Sequence, residues 1–278
     1  MTKRNAKNAK NNSLSGAASP LERVVNVVES SNVNSDWSFD NAVSADVIEA
    51  AATATIPASV DLRRPWWKIA DQGRSGACVG FAVADSVVRW HLVETGKLDK
   101  KKTLSARYVW MAAKEIDEWT DRPGTFIEWD GTSIKTGLDV ARKFGLVEEA
   151  VLPFKLSKFY EGEGSDFYAL AAQMKISSYF NLGVNMSEWR HWLTTKGPIA
   201  ARVLTDQTWR EANKTNGKLD TFLPDTVDGA HALCVCGFTP DRFIVRNSWG
   251  KGWGDKGYGY ASFDYVQAAF TESYGVNL

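Results

Sequence analysis

The spacing of apolar residues along this chain changes once, near Pro153, and that change limits the possible folds more than any other feature. Before it, apolar positions recur at helical intervals. From Cys78 to Thr95 the residues Val79, Ala82, Val83, Val87, Trp90 and Val93 form one broad stripe, and Gly96 stops the run. Ser105 is placed to cap a second helix reaching about Trp119. A polar loop containing Gly and Pro follows to Gly131, and a third helix is expected over Ser133 to Phe144, ending at Gly145. After Pro153, residues 155 to 166 read as a loop. Strand-like segments then dominate: Lys175–Leu182, Ile199–Leu204, Ala232–Phe238, Arg242–Arg246 and Gly257–Phe263. A short helix, Met186–Thr195, interrupts them ahead of Gly197-Pro198. The expected fold class is therefore α+β, with helices forming a first lobe and a mostly antiparallel sheet forming a second.

With 278 residues the chain is long enough to bury a real core in one large domain or two lobes. Its net charge is zero, so no general attraction to nucleic acid or to an anionic membrane is expected. The 12 tryptophans are scattered without interleaved basic clusters, which argues for packing rather than base stacking. No run approaches the roughly 18 apolar residues of a membrane span. The first 20 residues begin basic, lack the apolar segment of a secretory signal and are expected to be disordered. As written, the chain reads as cytoplasmic, unless it is delivered by another route. Residues 21–55 carry helical signal at Leu21–Val28 and Ala45–Thr55. The three cysteines are Cys78, Cys234 and Cys236. The last two fall on one face of a strand, where bridging them would strain the bond, and all three are expected to be free thiols. That favours a reducing compartment.

Three distant stretches carry chemistry. Gln72–Phe81 reads QGRSGACVGF and places Cys78 at the start of the first helix. DGAHALCVCGF leads a strand with His231, and VRNSWGKGWG ends one with Asn247. A thiol nucleophile needs a base, and the base needs a third group to orient it. Of the three histidines, His91 lies on the same helix as Cys78 and about 20 Å away at 1.5 Å per residue. His191 sits in a short amphipathic segment and reads as a packing or surface residue, whereas His231 follows an Asp-Gly turn and enters a rigid strand. Asn247 can fix the His231 tautomer through its side-chain carbonyl. Taken alone, Gln72 also reads as an ordinary loop glutamine, and NSWGKGWG as a Gly/Trp-rich turn.

In this order and with these flanks, Gln72, Cys78, His231 and Asn247 closely resemble the papain-like cysteine peptidase family. The resemblance covers about residues 56–278, beginning at Ile56-Pro57 and SVDLRR, which resemble the start of the mature enzyme. It implies a two-lobe fold, residues 56–153 mainly helical and 154–278 mainly β, with the active-site cleft between the lobes. It also implies hydrolysis of peptide bonds through a thioester acyl-enzyme. Cys78 attacks, His231 moves the proton, Asn247 orients the imidazole, and Gln72 with the Cys78 N–H holds the oxyanion. No metal or cofactor is needed, the partner is a peptide or protein substrate, and a monomer is the default.

The family signature around the nucleophile is Cys-Gly-Ser/Ala-Cys-Trp/Tyr, with His and Asn about 130 to 150 residues on. Here Ser75 replaces the first cysteine and Val79 the aromatic, and His231 and Asn247 come somewhat later, as loop insertions would explain. By the same resemblance Gly131, Thr132, Ser133 and Ile134 line the first lobe's side of the substrate cleft, Thr132 replacing a glycine. Arg202 and Ala232 line the other side, and Trp249 shields the His–Asn bond. Arg202 either selects an acidic or polar side chain two residues before the cut or turns to solvent. Residues 1–55 are a flexible leader or a short pro-segment over the cleft. An amidase or transpeptidase would use the same residues, and a non-catalytic peptide-binding module would keep only the fold.

Overall fold

A computed structural model of the chain describes residues 23–50, 55–117, 131–155 and 160–278. Residues 23–30 lead in without helical structure, followed by a 3-10 turn (Val33–Ser35) and helix α1 (Phe39–Ser44). This corrects two expectations. The apolar spacing of Leu21–Val28 suits a helix, but over residues 23–28 the backbone bonds go to distant segments. Val27 N–H donates to Ala230 O at 3.1 Å, Ala230 N–H to Val25 O at 3.2 Å and Val28 N–H to Thr132 O at 3.2 Å. Leu21 and Glu22 lie outside the described residues. The helix expected from Ala45 is absent over residues 45–50: the leader's helix lies before it, its first turn fixed at Phe39 by the Ser38–Asn41 capping box and its end at Ser44. Residues 45–50 are turn and bend, and 51–54 lie outside the described residues.

A two-residue strand β1 (Val60–Asp61) precedes the central helix, which runs as α2 (Cys78–Gly80), a π-wound stretch (Phe81–Val88) and α3 (Arg89–Glu94). Nearly all of it is buried. At Gly80 a side chain would place its Cβ 2.2 Å from Ala106 O, so glycine lets α4 (Ala106–Ile116) cross there. Ser105 caps α4 by accepting from Tyr108 N–H, and Ser133 caps α5 (Ile134–Lys143) by accepting from Thr136 N–H. Of the loop expected between those helices, residues 118–130 lie outside the described residues.

Past Pro153, residues 156–159 are likewise outside the description, and the expected loop gives way to α6 (Gly164–Ala171). Then come β2 (Ser178–Asn181), α7 (Met186–Thr195), β3 (Ile199–Thr205), α8 (Gln207–Arg210), β4 (Lys218–Leu219), β5 (Gly229–Phe238), β6 (Arg242–Arg246), β7 (Tyr258–Ser262), α9 (Phe263–Ala269) and β8 (Phe270–Asn277). β8 has no counterpart among the expected strands. It pairs with β2 and β3, giving the order β2-β8-β3-β5-β6-β7-β4 with β1 on β5. Every pairing is antiparallel except β4 with β7.

β5 reads as an unbroken apolar run because both of its faces are covered. Ala232, Cys234 and Cys236 join the core that the helices build, and Leu233 and Val235 join a second core with Trp189, Trp253 and Tyr265. The three cysteines are free and buried. Phe39, Ala42 and Ile48 of the leader belong to the second core. A buried charge cluster ties the lobes. Arg246 of β6 donates to Asp85 Oδ2 (2.8 Å), Ser86 Oγ and Lys68 O, and its guanidinium lies 4.8 Å from the Trp67 ring centre. Among the described residues no helix is long and apolar enough to cross a membrane.

Candidate active site

α2 and β5 meet where the cleft would open. Cys78 is the first residue of α2 and is fully buried. Burial pushes its thiol up to about 11, against the opposing pull of the backbone N–H groups of Ala232, Val79 and Cys78 beside the sulfur. Ala232 is the residue after His231, so the sulfur abuts the strand that carries the imidazole. His231 Nε2 and Asn247 Oδ1 are 2.7 Å apart. Since Asn247 Oδ1 can only accept, Nε2 carries the proton and Nδ1 is left as the basic nitrogen. Nδ1 is buried and has no hydrogen-bond partner. Asn247 Oδ1 also accepts from Ser248 N–H at 2.7 Å, which fixes the amide. Trp249 packs on the imidazole with ring centres 4.9 Å apart.

Burial pushes the His231 imidazole down to about 3, the bond to Asn247 opposes this, and the guanidiniums of Arg210 and Arg23 add to it. With a thiol near 11 and an imidazole near 3, the pair is neutral at ordinary pH. A thiolate–imidazolium pair needs water, or substrate dipoles, in place of what now covers the site.

Gln72 is buried beside them. Its Nε2 donates to Ser75 O at 3.0 Å, and its Oε1 accepts from Ser248 Oγ at 2.7 Å. One amide hydrogen of Nε2 remains for an oxygen arriving at the sulfur, and the Cys78 N–H, at a helix start, is the second donor available there. His91 and His191 are buried elsewhere, against Trp90 and Phe39 respectively. Among the described residues no cluster of His, Cys, Asp and Glu could hold a metal ion.

Residues 25–28 run between Ala230 and Thr132, bonded to both through the backbone. Asn26 makes a parallel bridge to Ala230, and a Cβ on Gly131 would lie 2.0 Å from Asn26 O, so the leader backbone presses on that glycine. Thr132 meets it through its carbonyl, while its hydroxyl donates to Asp117 at 3.1 Å. Ser133 spends its hydroxyl on the α5 cap, and Ile134 is buried in the helical core. Arg202 is held rather than solvated, donating to Thr271 Oγ1 (2.7 Å) and to leader Glu29 (3.3 Å). Ala232 pairs with it across the β3–β5 ladder.

Glu272, Ser30, Arg23 and Asp71 escaped the sequence reading. Glu272, the β8 neighbour of Arg202, accepts from Ser30 N–H at 3.1 Å and Ser30 Oγ at 2.5 Å. At the other end, leader Arg23 donates to Asp71 Oδ1 (2.6 Å), Gly73 O (2.7 Å) and Trp249 O (3.1 Å). A strand reading of FTESYGVN would have placed Glu272 within reach of Arg202. Nothing local marks Arg23 or its pairing with Asp71.

Comparison with known proteins points to one family. The profile described as papain family cysteine protease matches residues 56–273. An uncharacterized peptidase C1-like protein of Acanthamoeba polyphaga mimivirus is 23% identical over 210 residues, 70% of this chain and 64% of its own length. Peptidase 1 of Psoroptes ovis is 26% identical over 233 residues, 80% of this chain and 65% of its own. The chain thus spans just under two thirds of these relatives. Among solved structures, xylellain, a cysteine protease from Xylella fastidiosa, superposes with a TM-score of 0.74 at 20% identity, covering 92% of this chain and 96% of its own.

Proposed function

Because the chain belongs to the papain family of cysteine proteases, we propose that it hydrolyses peptide bonds at Cys78, and that residues 23–30 hold the described form latent. His231 Nδ1 takes the thiol proton as the sulfur attacks the carbonyl carbon. The oxyanion rests on the Cys78 N–H and the free hydrogen of Gln72 Nε2. His231 then returns the proton to the leaving amine, and the thioester forms. Water, deprotonated by Nδ1, releases the acyl group and restores the thiol. The observation that carries this reading is the 2.7 Å bond from His231 Nε2 to Asn247, which leaves a basic nitrogen unpartnered on the strand touching the Cys78 sulfur.

Latency follows from direction. With Gly131 to Ile134, Arg202 and Ala232 taking residues before the cut, a substrate runs from the Arg202 end of the cleft towards the Asp71 end. The leader runs the other way, from Arg23 at Asp71 to Glu29 at Arg202. Its peptide bonds are presented to the sulfur reversed, so it fills the cleft without being cut. Residues 31–35 are exposed and include Asn32 in a left-handed conformation (φ 52°), which makes them the accessible place to sever it. Phe39, Ala42 and Ile48 would stay packed afterwards.

The test is peptide-library cleavage and epoxide labelling of Cys78 in the full chain, before and after limited proteolysis within 31–35. Cleavage and labelling that appear after the cut and vanish in Cys78→Ala are expected. A cut chain whose Cys78 takes the label but cleaves no peptide would sink the peptidase reading.

A further inference from the structure

Arg23 reaches its place from a segment that must leave before a substrate can enter, and the groups that receive it do not belong to that segment. Its side chain is only 4% exposed. Nη1 donates to Asp71 Oδ1 and Gly73 O, and Nη2 to Trp249 O, with a longer contact of 3.4 Å to Asp71 Oδ2. The acceptors are held by bonds that do not involve the leader. Asp71 bridges Trp249 through the backbone, Gly250 N–H donates to Ala70 O at 2.9 Å, and Gln72 N–H donates to Ser248 O at 2.9 Å. Gly73 N–H donates to Asp71 Oδ1 at 2.9 Å and orients the carboxylate. Gly250 has φ +74°, and a Cβ there would sit 2.9 Å from Asp71 Oδ2, so glycine keeps the space in which the carboxylate stands. Lys155 is a second cation close enough to act on Asp71.

When the leader lifts, one carboxylate and two carbonyls converge on an empty corner with no donor among them. The corner adjoins Gln72 on one side and Trp249, stacked on His231, on the other. From this geometry we infer a subsite that binds a cationic side chain, arginine in preference to lysine, on the leaving-group side of the cut. Arginine is favoured because the acceptors lie in a fork that a planar guanidinium fills with several N–H groups at once, while an ammonium acts as a point charge. The substrate part of this inference rests on the peptidase reading and on Arg202 marking the opposite side of the cut.

The experiment uses full-length chain carrying Arg23→Ala, which vacates the corner and keeps the rest of the leader. In the first arm, acetyl-arginine methylamide and its citrulline analogue are titrated by NMR or tryptophan fluorescence into this chain with Cys78→Ala added. Saturable binding is expected, weakened at least tenfold by citrulline and by Asp71→Asn. Equal binding of the two probes, or none of either, overturns the subsite. In the second arm, quenched peptides identical before the cut carry arginine, lysine, citrulline or leucine at each of the first three positions after it. A kcat/KM at least tenfold higher for arginine than citrulline at one position, reduced to about twofold by Asp71→Asn, is expected. Flat preference across all three positions overturns it. The first arm needs no turnover. A chain that binds the arginine probe selectively yet cleaves nothing even after proteolysis within 31–35 supports the corner and counts against the peptidase reading. One that cleaves without discriminating leaves the peptidase reading intact and removes the subsite.

Discussion

Truncating Arg23 to alanine is the sharpest way to perturb latency, because it takes out the leader's most heavily bonded side chain and nothing from the site itself. The substitution removes three charge-assisted hydrogen bonds, to Asp71, Gly73 O and Trp249 O. Each such bond contributes about 1.5–3 kcal/mol when buried. Asp71 is 45% exposed, so its share is cut by solvent to at most about 1 kcal/mol. Water can also reach part of what is vacated. A net loss of about 2–4 kcal/mol from the closed state remains, and at 1.4 kcal/mol per tenfold it raises the open fraction roughly 30- to 700-fold. The assay is alkylation of Cys78 by uncharged iodoacetamide at neutral pH, located by mass spectrometry. While the leader recloses faster than the reagent reacts, the rate follows the open population. Cys234 and Cys236, buried in the core, serve as internal controls for global unfolding. A rise below threefold in Cys78 labelling at unchanged melting temperature would refute the latch. So would a parallel rise at all three cysteines.

Closure should also depend on pH, with a sign set by His231. Burial lowers this imidazole from 6.5 to about 3, so in a Cys78→Ala chain, where no thiol proton can pass to the ring, the open form takes up below about 6.5 a proton that the closed form refuses. Closure is therefore complete above 6.5 and weakens, by up to tenfold per pH unit, as the pH falls towards 3. Glu272, whose carboxyl burial holds above its ordinary range, acts in the opposite sense. In the chain that keeps Cys78, the thiol, raised from 9.0 to about 11, weakens closure as the pH climbs above 9. Hydrogen exchange of the Val27 and Val28 amides, corrected for intrinsic rates, should report both limbs, and a protection factor flat between pH 7 and 4 in the Cys78→Ala chain would contradict this. In the Arg23→Ala background, Gln72→Ala should lower kcat about 100-fold with little change in KM, from loss of one oxyanion donor; a fall of less than threefold would remove Gln72 from that role. Arg246→Ala leaves buried Asp85 with only the 3.5 Å contact to Arg89 of its own helix and should cost about 3 kcal/mol in denaturant unfolding. A cost under about 1 kcal/mol would show that the cluster does not tie the lobes.

Much of this protein is legible in its sequence because the relevant information is local. Ser105 and Ser133 cap helices by bonding to residues three positions on, and the alternation or saturation of apolar residues in β3, β5 and β6 reports which faces are covered. Cys78 at a helix start and His231 and Asn247 at strand ends stand in short motifs whose spacing the chemistry itself dictates. The leader could not be read this way. VVNVV is compatible with helix or strand, and its backbone bonds go to Ala230 and Thr132, which are near only after both lobes have formed. β8 and the partnership of Arg202 with Glu272 likewise depend on which strands become neighbours. The protonation of the pair belongs to tertiary structure too, since an imidazole near 3 and a thiol near 11 come from burial by a distant segment, and desolvation is a property of what surrounds a group rather than of its place in the chain.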